Sequence, residues 1–200
     1  LGSNLSVKNL ESLSLDDLSW GSLPPLGEMW MVNDLGVEYQ DCILGQRFQN
    51  LKRLELVKIP RLRKWVGDST SHLFAQLEEL TIIDCSELTE LRSSHHSSGL
   101  PQQEKSMAWF PRLKSLRIKE CPKLLSLPPI PWTSGPCSAV IERVGCGLES
   151  LVYKEEYGSD STYSLEVEGK DGHDSVFLNG VVFSNLTYLK KLVMENCSPL

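Results

Sequence analysis

The chain has 200 residues, of which 40% are hydrophobic, 8% aromatic and 23% charged. This length and composition predict one folded domain, or two small ones, and exclude a chain that is disordered throughout. The formal net charge of −6 argues against general binding to nucleic-acid backbones, which needs a basic surface. Because no run of about 18 apolar residues occurs, no membrane span is predicted.

The two ends of the chain lack recognisable targeting signals. The opening LGSNLSVKNL has no cationic stretch followed by an apolar one, so we expect no signal peptide. The closing MENCSPL stops just after a repeated motif begins. We therefore expect the chain to be a piece of a longer protein.

A pattern of apolar residues recurs along the chain. FQNLKRLELVKIPRLRKW, FAQLEELTIIDCSELTEL and FPRLKSLRIKECPKLLSL all fit F-x-x-L-x-x-L-x-[LI]-x-x-[CI]-x-x-L. The copies, one of them degenerate at 145, begin near 7, 48, 74, 110, 145 and 186. The connections vary in length, and loops are predicted at 21–46, 93–106, 128–136 and 154–179, the last with a short strand pair around SLEVEG and SVFLNG. A constant motif with variable connections is typical of a solenoid of stacked coils, each coil being one strand and its connection.

The spacing within the motif predicts the backbone path. In L-x-[LI] the alternate side chains point to one face, as in a β-strand, and the steps of three on either side are turns. Stacked copies would form a parallel sheet with one short strand per coil. Two ladders of inward-facing side chains are predicted: Leu54, Leu80, Leu116, Leu151, Leu192, and Leu56, Ile82, Ile118, Tyr153, Met194.

Six cysteines are present, and Cys85, Cys121 and Cys197 occupy the same place in the motif. At this turn we expect a small inward side chain whose weak S–H donor meets backbone groups. Reduced thiols are favoured over disulfides because a Leu-rich chain of this size does not need them. Metal binding is disfavoured because these cysteines are far apart in sequence. A site joining Cys85 to the pair His95 and His96 is an alternative, with a solvated polar loop as the simpler interpretation.

Several segments of the sequence resemble a known protein family. LPPLGEMW, GVEYQ, FQNLKRLELVKIPRLRKWV and LRIKECPKLLSLP resemble the C-terminal repeats of plant intracellular nucleotide-binding, leucine-rich-repeat disease resistance proteins, the cereal type especially. The resemblance implies one domain over 1–200 with an α/β leucine-rich-repeat solenoid fold. Such a fold has short parallel β-strands on a concave face, and irregular loops with few short helices on the convex side.

The same resemblance implies a function. The module would recognise proteins, either a pathogen effector or a host guard partner, and would regulate the intramolecular nucleotide-binding domain of the full-length chain. It implies a cytoplasmic protein that is not an enzyme, with no cofactor and no nucleic-acid partner. The stretch 129–183 matches the family poorly, and the phosphate-binding motif G-x-x-x-x-G-K-[ST] is missing from the chain.

Three other interpretations stay open. A ubiquitin-ligase substrate adaptor, or another non-immune scaffold, could use the same repeats. A secreted leucine-rich-repeat receptor would use the sequons at 4, 185 and 196, but two of these lie beside inward-facing positions, so chance is the simpler explanation. An enzyme is disfavoured because the histidines at 72, 95, 96 and 173 all fall in polar stretches.

The predicted concave face supplies the candidate partner-binding residues. Between the buried positions, outward side chains form columns that mix both charges with aliphatic residues, as protein-binding surfaces do. The candidates are Arg53, Glu55, Val57, Glu79, Thr81, Ile83, Ser115, Arg117, Lys119, Val152, Lys154, Lys191 and Val193. Arg53 is expected to pair with Glu79 across adjacent strands. The alternative is an ordinary solvated sheet face.

Overall fold

The structure is a computed structural model. It describes residues 9–19, 50–67, 76–93, 110, 112–125, 127, 130–132, 135–145, 147–156, 162–170 and 186–197. These residues form ten strands. Their bounds are β1 Ser12–Asp16, β2 Arg53–Val57, β3 Lys64–Gly67, β4 Glu79–Ile83, β5 Glu90–Ser93, β6 Ser115–Cys121, β7 Ser138–Val144, β8 Leu148–Glu156, β9 Thr162–Gly169 and β10 Leu189–Glu195.

Eight of the described strands form one sheet in the order β1-β2-β4-β6-β7-β8-β9-β10. All of them run in one direction except β8, which is antiparallel to both of its neighbours. Leu54 lies beside Leu80, and Leu80 beside Leu116, on adjacent parallel strands. The predicted register of these three leucines is confirmed, and the sheet is mostly parallel.

The alternation of buried and accessible residues explains why these segments are strands. In β2 the side chains of Leu54 and Leu56 are both 0% exposed, and the residues between them remain accessible. The same pattern holds in β4 and β6. Because one face of each strand is apolar and the other polar, only one register buries all the leucines.

Shared backbone hydrogen bonds fix the start of the parallel strands β2, β4 and β6. The Glu11 carbonyl accepts N–H groups from both Lys52 and Arg53, at 2.8 and 3.0 Å. The Lys52 and Glu78 carbonyls each accept two N–H groups from the following coil in the same way. In each of these three cases, one shared backbone carbonyl therefore sets where the next strand begins.

Six of the described strands carry a left-handed residue at or near their end. These non-glycine residues have φ between 50° and 56°, each two positions after the second side chain that its strand directs to the apolar face. They are Asp17, Lys58, Asp84, Glu120, Arg143 and Asn196. Asp17, Lys58 and Asp84 also donate their N–H groups to the neighbouring strand. This conformation costs about 1–2 kcal/mol for a side chain other than glycine, so stacking must hold it in place.

The connections on the far side of the core carry a second, smaller sheet. β3 and β5 pair in parallel, and Thr89 N donates to Arg63 O at 2.9 Å. The described residues contain strands and turns but no helix. The short helices predicted for the convex side are therefore not found there, and part of the predicted irregular loop region is regular sheet.

The stretch from 128 to 156 differs from the prediction. The predicted loop at 128–136 contributes two buried side chains, Ile130 and Trp132, and the Trp132 Nε1–H group donates to Leu113 O at 2.8 Å. The unpredicted strand β7 follows and places Ala139 beside Leu116. Gly145 follows β7, and a Cβ at this position would lie 2.2 Å from Pro122 O. The connections here pack too closely for a larger residue.

The segment predicted as a parallel coil from 145 is instead the antiparallel strand β8. Tyr153 consequently lies beside Ala139, and Leu151 lies beside Ile141. The prediction that Leu151 follows Leu116 directly is wrong, because the reversed strand exchanges the two ladders and β7 lies in between. β9 occupies part of the predicted loop at 154–179 and includes the expected SLEVEG strand. The expected SVFLNG strand, like the predicted loops at 21–46 and, beyond β5, 94–106, lies outside the described residues.

Truncation of a ladder leucine tests the core. We expect Leu80→Ala to lower the free energy of unfolding by about 2–5 kcal/mol, because it opens a cavity between two packed strands. Leu125→Ala is the matched control, since Leu125 is 58% exposed, and it should cost under about 1 kcal/mol. Denaturant unfolding measures both changes. Equal losses in the free energy of unfolding for Leu80→Ala and Leu125→Ala would contradict the predicted ladder of buried leucines.

Substitution of Lys58 tests the left-handed strand ends. Lys58→Gly should raise the free energy of unfolding by about 0.5–1 kcal/mol, because glycine adopts this φ without strain but loses more chain entropy. Lys58→Val should lower it by at least about 1 kcal/mol. Thr81→Gly, inside a strand, is the control and should be destabilising. Thermal and denaturant unfolding measure the change in the free energy of unfolding. This change should have opposite signs in Lys58→Gly and Thr81→Gly.

Candidate functional site

One face of the large sheet, here called the polar face, carries the alternate side chains that do not enter the core. Strand pairing places these side chains in three columns. The middle column is Ser14, Glu55, Thr81, Arg117, Val140, Val152, Glu166 and Val193. Neighbours within a column are about 4.8 Å apart, so groups on adjacent strands touch.

All thirteen predicted partner-binding residues lie on the polar face. The reversal of β8 changes the position of one of them. Lys154 lies beside Ser164 and, through it, in the column of Lys191. A parallel strand from 145, as the repeat predicts, would place Lys154 in the column of Lys119, where Ser150 stands instead, beside Glu142. Val152, at the centre of the reversed strand, keeps its predicted column.

Sequence reasoning missed the polar-face residues of β7 and β9. The missed side chains are Ser138, Val140, Glu142, Ser164, Glu166 and Glu168. The segment SAVIERV carries the signal that could have identified β7. Its Ala139, Ile141 and Val144 have the same spacing as Leu116, Ile118 and Cys121 of β6.

Three cations of the polar face are engaged in ion pairs between neighbouring strands. Arg53 donates from two nitrogens to the two carboxylate oxygens of Glu79, at 2.7 and 3.1 Å, which confirms the predicted pair. Lys119 Nζ lies 2.5 Å from Glu142 Oε2, and Lys191 Nζ lies 2.7 Å from Glu166 Oε1. The hydrogen bonds from Arg53 and Lys191 hold the pKa of Glu79 and Glu166 below the ordinary value.

The other two cations, Arg117 and Lys154, are exposed. Within the described part of the chain, neither has an ion-pair partner. Between them lie the half-buried aliphatic residues Val140 and Val152, which face each other on β7 and β8. We call Arg117, Val140, Val152 and Lys154 the central patch. It offers an apolar centre with a cation on either side.

Ser164 is the buried polar residue of this region. Its side chain is 0% exposed, and within the described residues its hydroxyl has no hydrogen-bond partner. It lies in register between Lys154 and Lys191.

The cysteines of the strand ends have a structural role. Cys85, Cys121 and Cys197 are free thiols that donate to the carbonyl two residues earlier, at 3.7, 3.4 and 3.3 Å. The hydrogen bond with Cys85, together with burial, raises the pKa of the Cys121 thiol far above the ordinary value. A thiol held protonated in this way is a weak nucleophile.

Other chemistry finds little support in the described residues. They hold no group of three His, Cys, Asp or Glu side chains that could bind a metal ion. His95 and His96, the alternative partners of Cys85, lie outside the described residues. In the same part of the chain, no helix could span a membrane.

Comparison of the chain with protein-family models, curated proteins and solved structures finds no match.

Removal of the Arg53 guanidinium tests the electrostatics of the polar face. Arg53→Ala should raise the pKa of Glu79 toward its ordinary value of 4.5, because the hydrogen bonds favour the ionised carboxylate. The stabilisation from this pair is present above that ordinary value and is lost as the pH falls through the lowered pKa. Carboxyl NMR titration measures the shift, with Arg117→Ala as the control. An unchanged pKa of Glu79 in Arg53→Ala would contradict the pair.

Proposed function

We propose that this chain is a protein-recognition and autoregulatory leucine-rich-repeat module of a plant immune receptor. The phrases LPPLGEMW and LRIKECPKLLSLP support this assignment by their resemblance to that family. In the fold, support comes from the register of the leucines, the thiols at the strand ends and the recurring left-handed residues. These features recur together from one parallel strand to the next, as a solenoid requires.

The single observation that carries the proposal is the composition of the polar face. The apolar side of the sheet is filled by its own core, and the polar side presents aliphatic and charged side chains in fixed columns. Apolar area surrounded by charge is typical of surfaces that bind proteins. An extended array of this kind suits an extended partner surface better than a small substrate, which needs a pocket.

The central patch defines the chemistry of the partner. Val140 and Val152 offer apolar area, and neither Arg117 nor Lys154 is engaged in an ion pair with a described residue. We therefore expect a partner segment that presents an apolar side chain between two acidic ones. Complementary charge of this kind accelerates association and selects among partners.

Autoregulation follows if two states of the receptor compete for this face. A ligand moves a switch only as far as its affinity differs between the two states. The nucleotide-binding domain would contact the polar face in the resting state, and the pathogen effector or host guard partner would displace it. The same residues then affect both the resting activity and the response.

Charge reversal in the central patch tests the proposal in a receptor that carries this segment. We expect Arg117→Glu with Lys154→Glu to change resting cell-death activity or to abolish the response to infection, measured in leaf tissue. The matched controls are Arg61→Glu and Lys170→Glu, which reverse exposed charges outside the strands of the sheet. They should leave both activities unchanged.

Two results would contradict the proposal. One is a receptor whose resting activity and response are both unaffected by the central-patch reversals, with protein levels equal to the wild type. The other is an equal loss in the patch and control variants, which would indicate a general effect of charge. A ubiquitin-ligase adaptor predicts a different outcome, namely loss of substrate degradation with no change in cell death.

A further inference from the structure

Two serine side chains lie next to the central patch, in the middle of the large sheet. Ser115 on β6 is in register with Ser138 on β7, and both side chains are half-buried on the polar face. The antiparallel register that pairs Ala139 with Tyr153 brings Lys154 on β8 next to Ser138. Neither serine hydroxyl has a side-chain hydrogen bond to another residue that the structure describes.

Both cations of the central patch lie beside these hydroxyls. Lys154 is the direct neighbour of Ser138, and Arg117 follows Ser115 by two positions on the same face of β6. Arg117 is thus one strand and two residues away from Ser138, about 8 Å between Cα atoms at ordinary sheet spacing, which an arginine side chain can span. We call these four residues the serine corner. It combines two hydroxyl donors with two exposed positive charges.

The carboxylates around the serine corner do not neutralise it. Three of them are paired with other cations: Glu79 with Arg53, Glu142 with Lys119 and Glu166 with Lys191. Glu156 lies two residues beyond Lys154, past the start of β7. Lys154 contributes to the lowered pKa of Glu166, but less than Lys191 does. Among the described residues, no carboxylate forms an ion pair with either cation of the corner.

We propose that the serine corner binds a phosphomonoester group on the protein partner. This inference rests on the proposed function and deepens it, because one phosphomonoester supplies both negative charges that the central patch requires. Such a group has a charge of about −1.5 to −2 at neutral pH and three strong acceptor oxygens. Arg117 can donate two parallel hydrogen bonds to it, Lys154 supplies a second charge, and the two serine hydroxyls donate as well. A single carboxylate would use only part of these donors.

The valines of the central patch indicate which side chain carries the phosphoryl group. Val140 follows Ser138, and Val152 precedes Lys154, each by two positions on the same face. An aromatic ring that packs on the two valines would direct its phosphoryl group toward Ser138. Aromatic rings bury a large apolar area, which the short stem of phosphoserine does not offer. We therefore expect phosphotyrosine to be preferred.

Titration of the 200-residue chain with phenyl phosphate, followed by amide NMR, tests the proposal. We expect saturable shifts at Ser115, Ser138 and Val140. The Kd of phenyl phosphate should be at least about tenfold lower than that of phenylacetate, because the dianion meets both cations. O-phosphoserine, which has no ring, and dimethyl phosphate, a singly charged diester like those of nucleic acids, should both bind more weakly. The affinity for phenyl phosphate should fall below about pH 6, where the group regains its second proton.

Variants connect the binding to the named side chains. Arg117→Gln and Lys154→Gln should each raise the Kd of phenyl phosphate at least about fivefold, and Ser138→Ala should raise it about threefold. Arg61→Gln removes an exposed guanidinium outside the strands of the sheet and is the matched control, with an unchanged Kd expected. Thermal unfolding would show that all four variants remain folded.

Four results would overturn the proposal. They are an absence of saturable binding, equal affinities for phenyl phosphate and phenylacetate, an unchanged Kd in the Arg117→Gln and Lys154→Gln variants, and equal or tighter binding of O-phosphoserine. Equal affinities for phenyl phosphate and phenylacetate would leave the proposed function intact, since a carboxylate partner would then suffice. A receptor unaffected by the central-patch reversals, in a chain that still binds phenyl phosphate, would contradict the proposed function alone.

Discussion

The burial of each strand's leucines by the strands on either side is the constraint on which the structure depends. Leu80 is 1% exposed because Leu54 and Leu116 flank it in register, whereas Leu192 has a neighbour on one side and is 55% exposed. A single strand with its connection has no core of its own. The register that buries the leucines also aligns the shared carbonyls and the columns of the polar face.

The parallel strands could be predicted where their residues fitted the motif, and the limits have a physical cause. Leu54, Leu80 and Leu116 follow a motif whose turns specify both the strand and its direction. The segment from Gly145 also alternates apolar and polar residues, but a period of two is the same when a strand is reversed. Its pattern therefore predicted a strand correctly and could not show that β8 runs antiparallel. β7 was not predicted because Ala139 stands where the motif has its first strand leucine.

The same limits apply to the candidate site. The columns through Arg53, Thr81 and Arg117 followed from the motif, and so did the ion pair with Glu79. The surroundings of Arg117 did not, because they depend on β7, which supplies Val140 and places Glu142 beside Lys119. Reversal of β8 then brought Lys154, rather than Ser150, into the column of Lys191. Which cations remain unpaired is thus a tertiary property that the sequence pattern does not contain.

The two faces of the sheet are under different physical constraints. The apolar side must repeat, because each residue there is a neighbour's packing surface, and the small Ala139 has the larger, buried Tyr153 beside it. The left-handed strand ends repeat for the same reason, and they tolerate aspartate, lysine, glutamate, arginine and asparagine despite their strain. Polar-face residues such as Arg117 neither pack in the core nor adopt a left-handed φ. A change there alters what the surface attracts while costing little stability, since exposed positions contribute little to the free energy of folding.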